Sequence, residues 1–203
     1  MDEKQLVAQA QAGNFSAFNE LVNANKGRIY SLALKMTRNS DDSEDIVQET
    51  FLKAIDKIDQ FRGEAAFGSW LYSIALNEIR KHLGTQKKEQ LKPIEEYLPK
   101  GHHTHSVDEK EIHLFDWRNP HSELESGELQ EIIDKAVDEL PLKYKEAFLL
   151  RYYEELPVKD VARIIKESEA STKSRILRAR LALRDKLSKI FEDSYGKEMP
   201  GLH

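Results

Sequence analysis

The stretch 156-LPVKDVARIIKESEASTKSRILRARLALRDKLSK-189 decides the fold. Pro157, Val158, Val161, Ala162, Ile164 and Ile165 recur at helical spacing, the pattern breaks over Lys166 to Ala170, and a far more basic helix follows. On a wheel of about 100° per residue, Thr172, Ile176, Ala179, Leu183 and Leu187 fall on one side and predict a buried stripe. Ser174, Leu177 and Arg178 fall opposite, flanked by Lys173 and Arg175. That face offers a hydroxyl, an apolar contact for a thymine methyl and a guanidinium fork for guanine or phosphate. Two helices in this relation are the sequence form of a helix-turn-helix whose second element enters the DNA major groove.

Working outward, the chain has 203 residues, which fits one domain or two small ones. Apolar residues make up 39% and charged residues 33%, with only 9 glycines and 6 prolines, a composition suited to amphipathic helices rather than strands and tight turns. The expected class is all-α. No apolar run approaches a membrane span, and MDEKQLV at the start lacks the apolar core of a signal peptide, so a cytoplasmic protein without membrane insertion is expected. Zero cysteines exclude disulfides, thiolate metal sites and thiol nucleophiles.

The net charge of −5 conflicts with DNA binding only until it is divided along the chain. Between Pro157 and Ile190 there are ten lysines and arginines against four acids, whereas Ser122 to Leu140 holds seven acids against Lys135 alone. The basic face is therefore local, and the whole-chain value bears on solubility. In the acidic segment, Leu129, Ile132, Ile133, Ala136, Val137 and Leu140 supply a core side. The acids then read as the wet face of a helix in preference to a mimic that covers the basic helix.

Periodicity predicts helices over Asp2 to Ala12, Asn14 to Thr37 with a break near Gly27, about Glu44 to Asp59, and about Ser69 to Leu83 with Gly84 as the stop. From Thr85 to about Glu123 periodicity fades among Pro93, Pro99, Gly101 and Pro120, which reads as a flexible linker. Helices resume over Gly127 to Glu139, Leu142 to Glu154, Val158 to Ile165 and Ala170 to Phe191. The tail from Glu192 has little to bury.

In the third helix, Val47, Phe51, Ala54 and Ile58 form the side to be buried, leaving Asp45, Glu49, Leu52 and Asp56 opposite. An outward leucine framed by carboxylates suits a basic, partly apolar partner, although a solvated face with a chance leucine has the same pattern. In the fourth helix, Trp70, Asn77 and Lys81 share a side, with Arg80 and Lys87-Lys88 close by. An aromatic platform, an amide and cations are what a single strand requires: stacking, base-edge hydrogen bonds and phosphate neutralisation.

The segment SDDSEDIVQETFLKAIDKIDQFRGEAAFGSWLYSIALNEIRKHL, residues 40–83, resembles region 2 of the extracytoplasmic-function sigma factors. LPLKYKEAFLLRYYEELPVKDVARII, residues 140–165, with STKSRILRARLAL, residues 171–183, resembles their region 4. The resemblance implies two small helical domains, region 2 over residues 1–90 and region 4 over 125–192, with a linker at 91–124 and a disordered tail at 193–203. It implies a protein that lends promoter specificity to bacterial core RNA polymerase, is not an enzyme and needs no cofactor. Its partners are then core polymerase, promoter DNA and an anti-sigma protein. By matching position, Asp45, Gln48, Glu49 and Leu52 are implied to dock on the polymerase clamp helices. Phe61 to Lys81 is implied to open the minus-10 element and hold a flipped base, with Trp70, Asn77, Arg80 and Lys81 as its DNA-binding residues. Lys173, Ser174, Arg175, Leu177 and Arg178 are implied to meet the minus-35 element.

The chain also departs from the family. Lys166 and Glu167 stand where a glycine and an aliphatic residue are usual, and Glu169 and Thr172 where valine is frequent. Carboxylates beside a DNA-facing helix repel phosphate and lost apolar contacts loosen helix packing, so weakened or altered minus-35 recognition is expected. Five of the seven histidines (102, 103, 105, 113 and 121) lie in the linker. His102, His103 and His105 are imidazole ligands with no regular element to fix their geometry, so no metal site is assigned. A hydrolase built on them lacks a rigid scaffold. The competing reading is a helix-turn-helix regulator that binds DNA without polymerase, for which the acidic stripe and the Trp70–Asn77 side have no use.

Overall fold

The structure is a computed structural model that describes residues 2–86 and 127–195, and every regular element among them is helical. The expected linker and its histidines 102, 103, 105, 113 and 121 lie outside the described residues. The chain divides into two compact units, the first formed by residues up to 90 with Leu149–Lys173, the second by Leu91–Phe148 with the residues from Ser174 onward.

In the first unit, α1 (Glu3–Gln11) lays Leu6, Val7 and Ala10 on α2 (Phe15–Thr37). Gly13, at φ +86, turns the chain between them, and the Asn14 side chain accepts from the Ser16 and Ala17 amides to cap α2. The break expected near Gly27 does not occur. Phe18 and Leu21 before the glycine continue in phase with Ile29, Leu32, Ala33 and Met36 after it. Burying that unbroken stripe outweighs a glycine cost of about 1 kcal/mol.

Helix α3 (Ser40–Asp56) begins earlier than the expected start near Glu44, because Asn39 is the cap, accepting from the Asp41 and Asp42 amides. Ser43 is instead buried, its hydroxyl donating to the Asn39 carbonyl at 2.5 Å and lying 2.9 Å from the Thr37 hydroxyl. A short 3-10 turn (Ile58–Gln60) follows, and then α4 (Phe67–Gln86) runs through Gly84 without stopping. Gly84 does not take the left-handed conformation that a glycine stop uses. Phe67, Leu71, Ala75, Leu76 and Ile79 are fully enclosed, and Gly68 leaves room for the Asn25 side chain of α2, whose Oδ1 would lie 2.9 Å from an added Cβ. Helix α7 (Val158–Ile165) packs on α4 and buries Val161, Ala162, Ile164 and Ile165.

The second unit holds α5 (Gly127–Asp138), the first part of α6 (Leu142–Tyr152) and the greater part of α8 (Glu169–Tyr195). Its core comprises Ile133, Ala136, Val137, Leu140, Tyr144, Ala147 and Phe148 with Ile176, Ala179, Leu183 and Leu187. At the edge of that core Asp138, the last residue of α5, pairs with the buried Lys145 at 2.8 Å, and Glu139 in the turn after it pairs with Lys186.

Candidate nucleic-acid interface

Helix α3 presents Asp45, Gln48 and Glu49 to solvent, and Leu52 is 58% exposed. Ile46, Val47, Thr50 and Ala54 hold the opposite side in the core. Two polar contacts hold α3 against α4: the Lys53–Glu78 ion pair at 2.5 Å, and His82 Nε2 lying 3.1 Å from the Asp42 carboxylate. Ile55 is also exposed, at 37%, and follows Gln48 and Leu52 along one line of the helix. Sequence reasoning assigned Ile55 to neither side of the helix; the apolar part of this face is two residues rather than one.

On α4, Asn77 and Lys81 are exposed, while Trp70 and Arg80 are half-buried. Trp70 is not a free platform. Its ring lies 5.3 Å from Phe61 and 5.4 Å from Phe67, and those two meet edge to face at 5.5 Å. The three rings form a rigid base at the two ends of the loop 62–66, whose Arg62, Gly63, Glu64 and Ala66 are exposed. Sequence reasoning also missed two side chains of α1 that reach this loop. Gln11 Nε2 donates to the Ile58 and Phe61 carbonyls, at 2.9 Å each, and the Glu3 carboxylate accepts from the Phe67 amide at 3.0 Å.

The stripe expected on α8 is present: Thr172, Ile176, Ala179, Leu183 and Leu187 are buried. Lys173, Ser174 and Arg178 are exposed, whereas Arg175 and Leu177 are half-buried, so the outward face is narrower than the wheel suggests. Arg178 Nη1 lies 3.5 Å from the Tyr144 hydroxyl. Thr172 is fully enclosed, yet its hydroxyl is satisfied by donating to the Ser168 carbonyl at 2.9 Å. Ser168 caps α8 by accepting from the Ser171 amide, and Glu169 places its carboxylate in the first turn, where the helix dipole favours it. Lys166 takes the left-handed conformation, φ +60, that the turn after α7 imposes.

A further contact within the first unit had no sequence signal. The Tyr72 hydroxyl donates to the Glu154 carboxylate, and Lys35 Nζ sits 3.9 Å above the Tyr153 ring. Burial pushes the Glu154 carboxyl above the usual carboxylate range, opposed by the Tyr72 hydrogen bond and by Arg28 and Lys35. Burial and the facing carboxylate push the Tyr72 phenol up as well.

Two family profiles match the chain, sigma-70 region 2 over residues 21–89 and sigma-70 region 4 over residues 130–183. The ECF RNA polymerase sigma-E factor of Haemophilus influenzae is 35% identical over 92% of this chain and 96% of its own length. The chain belongs to the extracytoplasmic-function sigma factors. The sigma-E factor of Escherichia coli K12 is 32% identical over 92% of this sigma factor and 95% of that relative. The RNA polymerase sigma-H factor of Pseudomonas aeruginosa is 28% identical over 95% and 97%. The fold is shared with CnrH, solved in complex with the cytosolic domain of CnrY, at a TM-score of 0.64 and 21% identity over 92% of this chain and 97% of that one. The family is not a class of enzymes. Among the described residues no helix is long and apolar enough to cross a membrane.

Proposed function

We propose that this sigma factor binds bacterial core RNA polymerase through the α3 face of Asp45, Gln48, Glu49 and Leu52, extended by Ile55, and directs promoter-specific initiation. Asn77, Arg80 and Lys81, with Trp70 in the ring base beneath the 62–66 loop, engage the melted minus-10 strand. Extruding a base costs a few kcal/mol, so a site that accepts only an unstacked base converts binding into strand opening. Lys173, Ser174, Arg175, Leu177 and Arg178 meet the minus-35 duplex. The factor works by binding alone, with no chemistry of its own, in the cytoplasm, and an anti-sigma protein restrains it.

One observation carries this reading. An exposed leucine and isoleucine framed by carboxylates lie on a helix whose other side is locked in the core, in the same unit as an aromatic-based loop that leads into a helix carrying an exposed asparagine. A polymerase-independent regulator has no use for either. Asp45→Arg with Glu49→Arg changes only exposed side chains, so the fold persists. The double variant is expected to bind core polymerase at least about tenfold more weakly, about 1.4 kcal/mol, in a fluorescence titration. Retained polymerase binding by a folded variant refutes the assignment and favours the regulator.

A further inference from the structure

The loop at the centre of the proposed minus-10 site is held by side chains outside it. Residues 62–66 leave the 3-10 turn Ile58–Gln60 and Phe61 and re-enter regular structure at Phe67, the first residue of α4. Both ends are tied to α1. At the entry, the single Gln11 amide donates to two carbonyls, those of Ile58 and Phe61; at the exit, Glu3 accepts the Phe67 amide, one of the unpaired donors at a helix start. Glu3, Val7 and Gln11 follow one another at i, i+4 and i+8 and so line one side of α1, a span of about 12 Å at 1.5 Å per residue. The helix itself is immobilised by Leu6, Val7 and Ala10 buried in the first unit.

Between these two ties α1 and the loop face each other across open space. A cleft of about 570 Å³ lies there, lined by Val7, Ala8 and Gln11 on one side and Arg62, Gly63 and Ala65 on the other. With this cleft along its middle, and with Gly63 at φ +70 and open space around its Cα, the fastened ends are the contacts that position the loop. We infer that Glu3 and Gln11 are positioning residues for single-strand recognition: α1 sets where the 62–66 loop stands relative to Asn77 and Lys81 without touching DNA. The inference rests on the minus-10 reading of that loop.

The test uses holoenzyme assembled from the full chain and core polymerase, with the single-stranded DNA that the parent holoenzyme selects from a randomised pool as probe. Gln11→Leu and Glu3→Ala should each weaken strand binding on the order of tenfold, the loss of hydrogen bonds that fix a binding loop. They should also speed amide exchange over residues 62–66. Glu3→Gln keeps an oxygen to accept the Phe67 amide and should behave as the parent. Affinity for core polymerase should be unchanged in all of them. Parental strand binding by Gln11→Leu and Glu3→Ala overturns the inference, as does an equal fall in core binding, which marks general unfolding. Asn77→Ala separates the two readings: if it loses strand binding while the α1 variants keep it, only the positioning role fails. If neither it nor the α1 variants alter strand binding, the minus-10 reading fails with it.

Discussion

Glu154 is an acid placed where burial favours the neutral form, beside a tyrosine that donates to it and two cations that hold it charged. Because burial is the largest influence, the carboxyl binds its proton more tightly in the folded chain than in the unfolded one. The sign follows from linkage: stability from this group is fully present below its ordinary pKa of 4.5 and is lost as pH rises through the raised folded value. Glu154→Gln retains an acceptor for the Tyr72 hydroxyl and removes the buried charge. The melting temperature of the variant minus that of the parent should therefore increase as pH is raised above 4.5. A difference that stays level with pH, followed by calorimetry, would remove Glu154 from the titration. Nothing local announces this residue, because its partner Tyr72 is 82 positions away, and Gln11 and Glu3 meet loop atoms 47 to 64 positions distant. Thr172, Ile176, Ala179, Leu183 and Leu187 were legible for the opposite reason: a buried stripe is written into a single helix by its own spacing.

At the scale of elements, the number and order of helices among the described residues were legible and several of their ends were not. Asn39 starts α3 by a side-chain cap ahead of the first apolar residue, Gly27 interrupts nothing because the apolar stripe of α2 continues in phase across it, and Gly84 lies within α4 without a left-handed φ. The turn after α7 shows how an element end is fixed by backbone geometry. The Lys166 amide bonds to Arg163 and the Glu167 amide to Ala162, a Schellman arrangement that requires a left-handed residue at position 166. A lysine there carries a Cβ penalty that glycine avoids, offset in part by the greater freedom of glycine in the unfolded chain. Lys166→Gly should stabilise the protein by about 0.5–1 kcal/mol in denaturant titrations. Lys159→Gly, in the first turn of the same helix and without the strain, should destabilise, by at most about the 1 kcal/mol that glycine costs in a helix interior. If both glycines destabilise alike, the turn is not strained, and the family departure at Lys166 has no energetic consequence.

For the whole molecule, the charge pattern separates two kinds of attraction to DNA. With a net charge of −5 the chain as a body repels duplex, so its salt-dependent affinity comes from local cations: ten basic residues stand against four acids between 157 and 190, and seven of the ten lie on α8. Each phosphate neutralised releases counterions and contributes about 0.9 to the slope of log affinity against log salt. Lys173 and Arg178 are exposed, and Leu177 is half-buried beside them without charge. Holoenzyme carrying Lys173→Ala together with Arg178→Ala should bind a promoter fragment with a slope smaller by about 2 than the parent, whereas Leu177→Ala should keep the slope and change the preferred bases. The core enzyme contributes the same contacts to every variant, so differences between slopes report α8 alone. A double variant with the parental slope would place the α8 cations away from the phosphates and leave the minus-35 assignment without its electrostatic support.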